Sequence, residues 1–202
     1  MQIPQVIFFD LGDVVCRFRP ERRSRLFAER TGRSETELLD LFWRSGFSSA
    51  CDAGEYTAKK MCAFINDRLG SAFTEHQLAE IWWRAFDLDL EVLTTAQRLN
   101  ANFRVGMLTN NAALLRRALP EFFPHIESLF DPMVFSCELK AAKPEARAFA
   151  AVESMTACAG SALMLIDDSA QNVAAASARG WQTIQFRSAP ELSDRLVALG
   201  LL

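Results

Sequence analysis

The short apolar run Gln5-Val6-Ile7-Phe8-Phe9 stops abruptly at Asp10, and no other feature constrains the chain as much. A run of that length, rich in strand formers and closed by the loop-like Asp10-Leu11-Gly12-Asp13, predicts a buried strand that delivers carboxylates at its carboxyl end. The same design returns after residue 100. Strands are expected over 103–108, 133–136, 162–166 and 182–186, separated by helices over 112–119, 144–152 and 170–179, with a last helix from Pro190. Strands alternating with helices imply βαβ units. The expected fold is therefore α/β, a Rossmann-like parallel sheet covered by helices on both faces.

Between Pro20 and about Phe86 the pattern is helical, with no convincing strand. Pro20 suits a first helical turn, and Gly32 and Gly70 stand where C-cap glycines end helices. Ser34-Glu35-Thr36-Glu37 and Thr74-Glu75-His76-Gln77 have capping-box spacing. The expected organisation is a core domain of residues 1–16 and 88–202, interrupted by a helical cap domain of residues 17–87. Phe42, Trp43 and Phe47, and then Trp82, Trp83 and Phe86, recur at helical spacing and read mostly as the core of this insert. Adjacent tryptophans cannot both face one core, which leaves one of them for a pocket. Arg17, Arg19, Arg22, Arg23 and Arg25 read first as a solvated helix face beside Glu21 and Glu29, and second as an entrance for an anion.

Composition narrows the class of partner. At 202 residues, 50% hydrophobic and with a net charge of −3, the chain can bury a core and lacks the broad basic footprint of a nucleic-acid or anionic-membrane binder. The N-terminus lacks the charged start and long apolar stretch of a secretory signal, so a cytoplasmic location is expected. The five cysteines, Cys16, Cys51, Cys62, Cys137 and Cys158, never form a CxxC pair, which argues against a disulfide framework and against a zinc site. His76 and His125 are the only histidines and read as ordinary core or surface residues. The sequence carries no signal for an oligomeric state.

In an open parallel sheet ligands collect at the carboxyl ends of the strands. The polar residues there are Asp10, then Thr109 and Asn110, then Lys143, then Asp167 and Asp168. Carboxylates from different strands can hold a hard divalent cation such as Mg²⁺ through oxygen. A hydroxyl, an amide and an ammonium can share the oxygens of a phosphoryl group. Taken singly, each residue has a plainer reading: Asp167-Asp168-Ser169 as a helix cap, Asp10 as a turn residue, Lys143 as a solvated charge at a helix start.

Together, in order and spacing, Phe8-Phe9-Asp10-Leu11-Gly12-Asp13-Val14, Leu108-Thr109-Asn110, Lys143-Pro144 and Ile166-Asp167-Asp168-Ser169 resemble the motifs of the haloacid dehalogenase (HAD) superfamily, with the insert where subfamily I members carry a helical cap. The resemblance implies a Mg²⁺-dependent phosphatase acting on a small phosphate ester through an aspartyl-phosphate on Asp10. It implies metal binding by Asp10, the carbonyl of Gly12 and Asp168. Phosphate oxygens would be met by the Thr109 hydroxyl and by the backbone N–H or side chain of Asn110, and Lys143 would offset their charge. Asp167 would support the metal from behind, although the reverse assignment of the adjacent carboxylates stays open.

Two positions depart from the pattern. The phosphatases usually carry a second Asp two residues after the nucleophile, as general acid and base, and here that position is Gly12. Asp13 is one substitute, but a one-residue offset turns its side chain away in extended chain. Asn172 stands where many relatives have a further acid, and its expected role is to orient neighbouring groups. Asp-Leu-Gly-polar-Val is similar to the α-glucose-1-phosphatase-like subgroup, which points to a sugar phosphate. Gly12 also supports a non-catalytic binding protein, and a 2-haloacid dehalogenase is a further alternative.

Overall fold

The computed structural model describes residues 2–202. Its strands, in chain order, are β1 (Val6–Phe9), β2 (Cys16–Phe18), β3 (Phe86–Leu88), β4 (Arg104–Thr109), β5 (Met133–Phe135), β6 (Leu163–Asp167) and β7 (Gln182–Gln185). Five of them form a parallel sheet in the order β5-β4-β1-β6-β7. β1 lies at the centre and every one of its residues is buried, as an unbroken apolar run requires when both sheet faces are covered. Its side chains alternate between two cores. Ile7 and Phe9 pack with Val105, Met107, Met164 and Ile166 on the face that continues into the insert. Val6 and Phe8 pack with Phe149, Val152, Leu165 and Trp181 on the other.

Helices α1 (Pro20–Thr31), α2 (Glu35–Leu39), α3 (Phe47–Asp52), α4 (Ala58–Leu69) and α5 (Glu75–Trp83) fill the stretch between β2 and β3, with a π-helical turn over Asp40–Arg44 after α2. Their boundaries follow local chemistry. Ser34 with Glu37, and Thr74 with Gln77, close reciprocal capping boxes, and Gly32 and Gly70 end α1 and α4 in the left-handed conformation. The remaining helices are α6 (Leu90–Asn100), α7 (Ala113–Phe122), α8 (Pro124–Leu129), α9 (Ser136–Leu139), α10 (Ala146–Thr156), α11 (Ala170–Ala178) and α12 (Ala189–Ala198).

The structure corrects the sequence reading at three places. Cys16–Phe18 and Phe86–Leu88 pair as a two-stranded antiparallel ribbon at the two ends of the insert, where no strand is expected. Segments of three residues are too short to carry a period, and only the fold brings them together. The helix expected from residue 144 begins at Ala146 after Glu145, so Lys143 is not at a helix start. Short helices α8 and α9 occupy stretches read as connections.

Phe42, Phe47 and Trp82 are core residues of the insert, and Trp83 instead packs on Phe122 and Phe123, its ring centroid 5.6 and 4.0 Å from theirs. Among the described residues no helix is long and apolar enough to cross a membrane.

Candidate active site

The carboxyl ends of β1 and β6 meet on one ammonium group, whose backbone is held from the end of β4. Lys143 Nζ lies 3.0 Å from Asp10 Oδ1 and donates to Asp167 Oδ2 at 2.6 Å. Its side chain is 1% exposed, so this is a buried clamp and not a solvated charge. Burial works against the charge, but the two flanking carboxylates outweigh it and leave the Lys143 pKa above its ordinary value. The backbone of Lys143 is fixed in turn by Asn110, whose Nδ2 donates to the Lys143 carbonyl (2.7 Å) and whose Oδ1 accepts from the Lys143 N–H (2.9 Å). The Asn110 side chain is thereby committed, which leaves its backbone N–H for any ligand.

The adjacent acids are in different states. Asp167 is fully buried, and its oxygens accept from Lys143, from the Ser169 N–H (2.9 Å) and from Asn172 Nδ2 (3.0 and 3.1 Å). Asp168 is exposed, with no side-chain donor on its carboxylate among the described residues. Asp10 accepts from the Leu11 N–H (2.8 Å) and faces Lys143 on the same oxygen, Oδ1. Burial pushes its carboxyl up to about 6, with Lys143 opposing and Asp167 adding to the rise. Burial, Asp167 and Asp13 raise Asp168 as well. Asp10, Asp167 and Asp168 each place one oxygen within 4.8 Å of the others, a hard-oxygen set within reach of one divalent cation. Since the protein already satisfies Asp167, the oxygens left for a cation are those of Asp10 and Asp168.

Thr109, fully buried, accepts from Asn111 Nδ2 (2.7 Å), so its own hydroxyl proton is free to be donated. Asp13 takes a left-handed backbone (φ 55°), and its Oδ1 accepts from the Phe18 N–H (3.1 Å), which ties it to the turn into the ribbon. Gly12 is not in the left-handed region, and a Cβ built there meets no atom within 4 Å.

A cavity of about 230 Å³ opens between this end of the sheet and the insert. Gly12, Asp13, Asn110 and Asn111 line one wall, and Arg23, Trp43, Ser48, Asp52 and Trp82 the other. The basic cluster therefore divides. Arg19 and Arg22 pair with Asp87, Arg25 reaches Glu35, and Arg23 alone turns inward, its guanidinium 4.2 Å from the Trp82 ring centroid. Arg23 Nε and Ser48 Oγ are buried without a partner among the described residues. Burial draws the Arg23 pKa down to about 9, with Asp52 opposing, so it stays a cation at neutral pH. A larger open groove of about 810 Å³ lies on the ribbon side of Asp13, away from the Lys143 clamp.

Ser48, Asp52, Asn111 and Ser136 are cavity and loop residues that the sequence does not single out, and Arg23 stands out there only as one of five clustered arginines. The one legible signal is that Arg23 stands four residues before the buried Phe27 and so shares its inward face. Asp52 reaches the site through the packing of the insert against the core.

No protein-family model matches the sequence. Solved structures do. A HAD family enzyme from Bacteroides thetaiotaomicron superposes with a TM-score of 0.82 at 22% identity over 97% of this chain and 99% of its own. The same enzyme has been crystallised with magnesium and inorganic phosphate. A predicted HAD-like family hydrolase from Porphyromonas gingivalis superposes with a TM-score of 0.77 at 23% identity over 97% of this chain and 98% of that one. An L-2-haloacid dehalogenase from Xanthobacter autotrophicus gives 0.61 at 15% identity over 99% and 85%. With its central strand ending in Asp10 and its helical insert after that strand, the chain has the fold of the HAD-like enzymes.

Proposed function

We propose that this protein is a Mg²⁺-dependent phosphatase that hydrolyses a small phosphorylated metabolite, a sugar phosphate being the favoured class. The observation that carries the reading is the buried Lys143 clamp across Asp10 and Asp167, with the unpaired Asp168 within 4.8 Å. The magnesium and phosphate bound by the Bacteroides enzyme of the same fold support it. Residues 1–16 and 88–202 form the core domain in this reading, and residues 17–87 are the cap that closes over the site and excludes water.

Asp10, the Gly12 carbonyl and Asp168 would hold Mg²⁺, with Asp167 and Asn172 behind them. When bound, the ion offsets the charge on the phosphoryl oxygens. The chain's own residues do the rest. Asp10 attacks phosphorus through a carboxylate oxygen and forms an aspartyl-phosphate, which water hydrolyses. Thr109 donates its hydroxyl, and Asn110 its backbone N–H, to phosphoryl oxygens. Lys143 holds Asp10 ionised and in position. The cavity of about 230 Å³ lies below the roughly 300–1,000 Å³ of sites for drug-sized ligands, which favours a small leaving group. Its mixed lining of Arg23, Ser48 and two tryptophans suits one that bears hydroxyls.

The test is a phosphoester panel with Mg²⁺, where the parent turns over at least one sugar phosphate and Asp10→Asn none. Halide release from a 2-haloacid in the presence of chelator would favour a dehalogenase instead. Failure of beryllofluoride to form an adduct on Asp10 would favour a non-catalytic binding protein.

A further inference from the structure

We propose that Asp52, carried by the helical insert, is the acid that protonates the leaving oxygen and then the base that activates water. This assignment rests on the phosphatase reading above. Its starting point is the absence of a carboxyl group at Gly12 and the presence of only two acids in the cavity lining, Asp13 and Asp52. Asp13 holds the turn into the ribbon through the Phe18 N–H. Asp52 makes no side-chain hydrogen bond to any described residue and lines the same cavity as Gly12 and Asn110.

Its position is set by the core and not by the insert alone. Ser136 Oγ donates to the Asp52 carbonyl at 2.6 Å and accepts from the Asn111 N–H at 3.0 Å, so one hydroxyl joins the end of α3 to the loop after β4. Two residues on, Gly54 adopts φ +80° against the backbone of Cys137, where a Cβ would collide with the carbonyl oxygen. These two contacts seat the Asp52 turn directly over the ends of β4 and β5. The titratable and charged groups around Asp52 are Arg23 from α1, Cys51 on its own helix and Cys137 from α9, and Asp13 lines the same cavity. Burial pushes the Asp52 carboxyl up to about 7, with Arg23 opposing. An acid near the working pH can both give and take a proton, as the two half-reactions demand.

In the first step the Asp10 carboxylate bonds to phosphorus and the bond from phosphorus to the leaving oxygen breaks. The electron pair freed on that oxygen takes the Asp52 proton, and an alcohol departs. In the second step the Asp52 carboxylate takes a proton from water as the water oxygen bonds to phosphorus. The bond to Asp10 then breaks, which releases inorganic phosphate, and Asp52 is again protonated.

Asp52→Asn tests this with two substrates. On an alkyl phosphate, whose leaving oxygen needs a proton, turnover is expected to fall by roughly 10²-fold or more. On p-nitrophenyl phosphate the first step survives and the second does not. A burst of nitrophenolate, at most one per enzyme, should then precede slow turnover. Asp52→Glu should restore part of the alkyl phosphate activity, and Gly12→Asp added to Asp52→Asn should restore more. The parent's fall in turnover above about pH 7 should vanish in Asp52→Asn. Alkyl phosphate turnover within about twofold of the parent would overturn the acid role, as would equal losses on both substrates without a burst in a variant whose melting temperature is not lowered. A parent that hydrolyses no phosphoester and takes no beryllofluoride on Asp10 overturns the phosphatase reading itself, and the role of Asp52 with it.

Discussion

Lys143 Nζ sits 3.0 Å from Asp10 Oδ1, an ion pair between the loop after α9 and the end of β1 whose side chains are 1% and 13% exposed. Because the same ammonium also serves Asp167, one cation balances two buried carboxylates. Truncating a partner in such a cluster leaves charge buried without compensation, which costs about 3–5 kcal/mol. Lys143→Met should therefore lose about that much stability in urea unfolding, and more at pH 8 than at pH 5, where protonation of Asp10 relieves the deficit. Phosphoester turnover should be abolished.

Asn172 donates to both oxygens of Asp167, at 3.0 and 3.1 Å. Asn172→Leu keeps the shape and removes the donor. The fully buried carboxylate then lacks one partner, and the variant should unfold with about 1–3 kcal/mol less stability. Retention of parental stability in denaturant titrations would contradict the assigned role.

Asp168 carries the exposed carboxylate of the set, with no side-chain donor on it among the described residues. A ligand that binds only the folded state raises stability with its concentration. Added Mg²⁺ should accordingly raise the melting temperature of the parent in a saturable way. Asp168→Asn should lose that response while folding normally.

Gly12 has room for a side chain, since a Cβ there meets no atom within 4 Å and φ is not left-handed. Gly12→Asp should fold as well as the parent. In the phosphatase reading, with Asp52 already supplying the acid, it should change turnover of an alkyl phosphate little in the parent and raise it in the Asp52→Asn background, by up to the roughly 10²–10⁴ that general acid–base catalysis supplies. Steady-state kinetics with matched alkyl and nitrophenyl substrates would show whether the gain is confined to the poorer leaving group.

Asp52 gives a stability test that needs no substrate. Its carboxyl is raised from 3.8 to about 7 by burial, so the folded state holds a proton that the unfolded chain releases between those pH values. Its contribution is fully present below pH 3.8 and is lost as pH rises through about 7. Asp52→Asn does not titrate. It should gain stability relative to the parent between pH 4 and pH 8, on the order of 2 kcal/mol after solvent screening is allowed for. Parallel unfolding curves at both pH values would contradict it.

Much of this molecule is legible locally. The apolar runs of β1, β4 and β6 are strong because both sheet faces are covered, and the capping boxes at Ser34 and Thr74 need only four consecutive residues each. The ribbon was not legible, because Cys16–Phe18 and Phe86–Leu88 are each too short to show a period and pair only after the insert has folded. The start of α10 escapes local reading for a related reason. Pro144 reads as a helix opener, yet Lys143 and Pro144 lie outside the helix, and Asn110, 33 residues earlier, holds the Lys143 backbone on both sides.

Side-chain period and strand chemistry are local properties, so the chain alone specifies a parallel sheet interrupted by helices, with Asp10, Thr109, Asn110, Asp167 and Asp168 at strand ends and Lys143 beyond one of them. Tertiary packing settles which of those groups are already satisfied. It separated Asp167, saturated by Lys143, Ser169 and Asn172, from its exposed neighbour Asp168. It also turned Arg23 inward and seated Asp52 over the site through Ser136. Burial and hydrogen-bond partnership depend on residues far apart in the chain, and they set which oxygens remain for a metal, a phosphate or a proton.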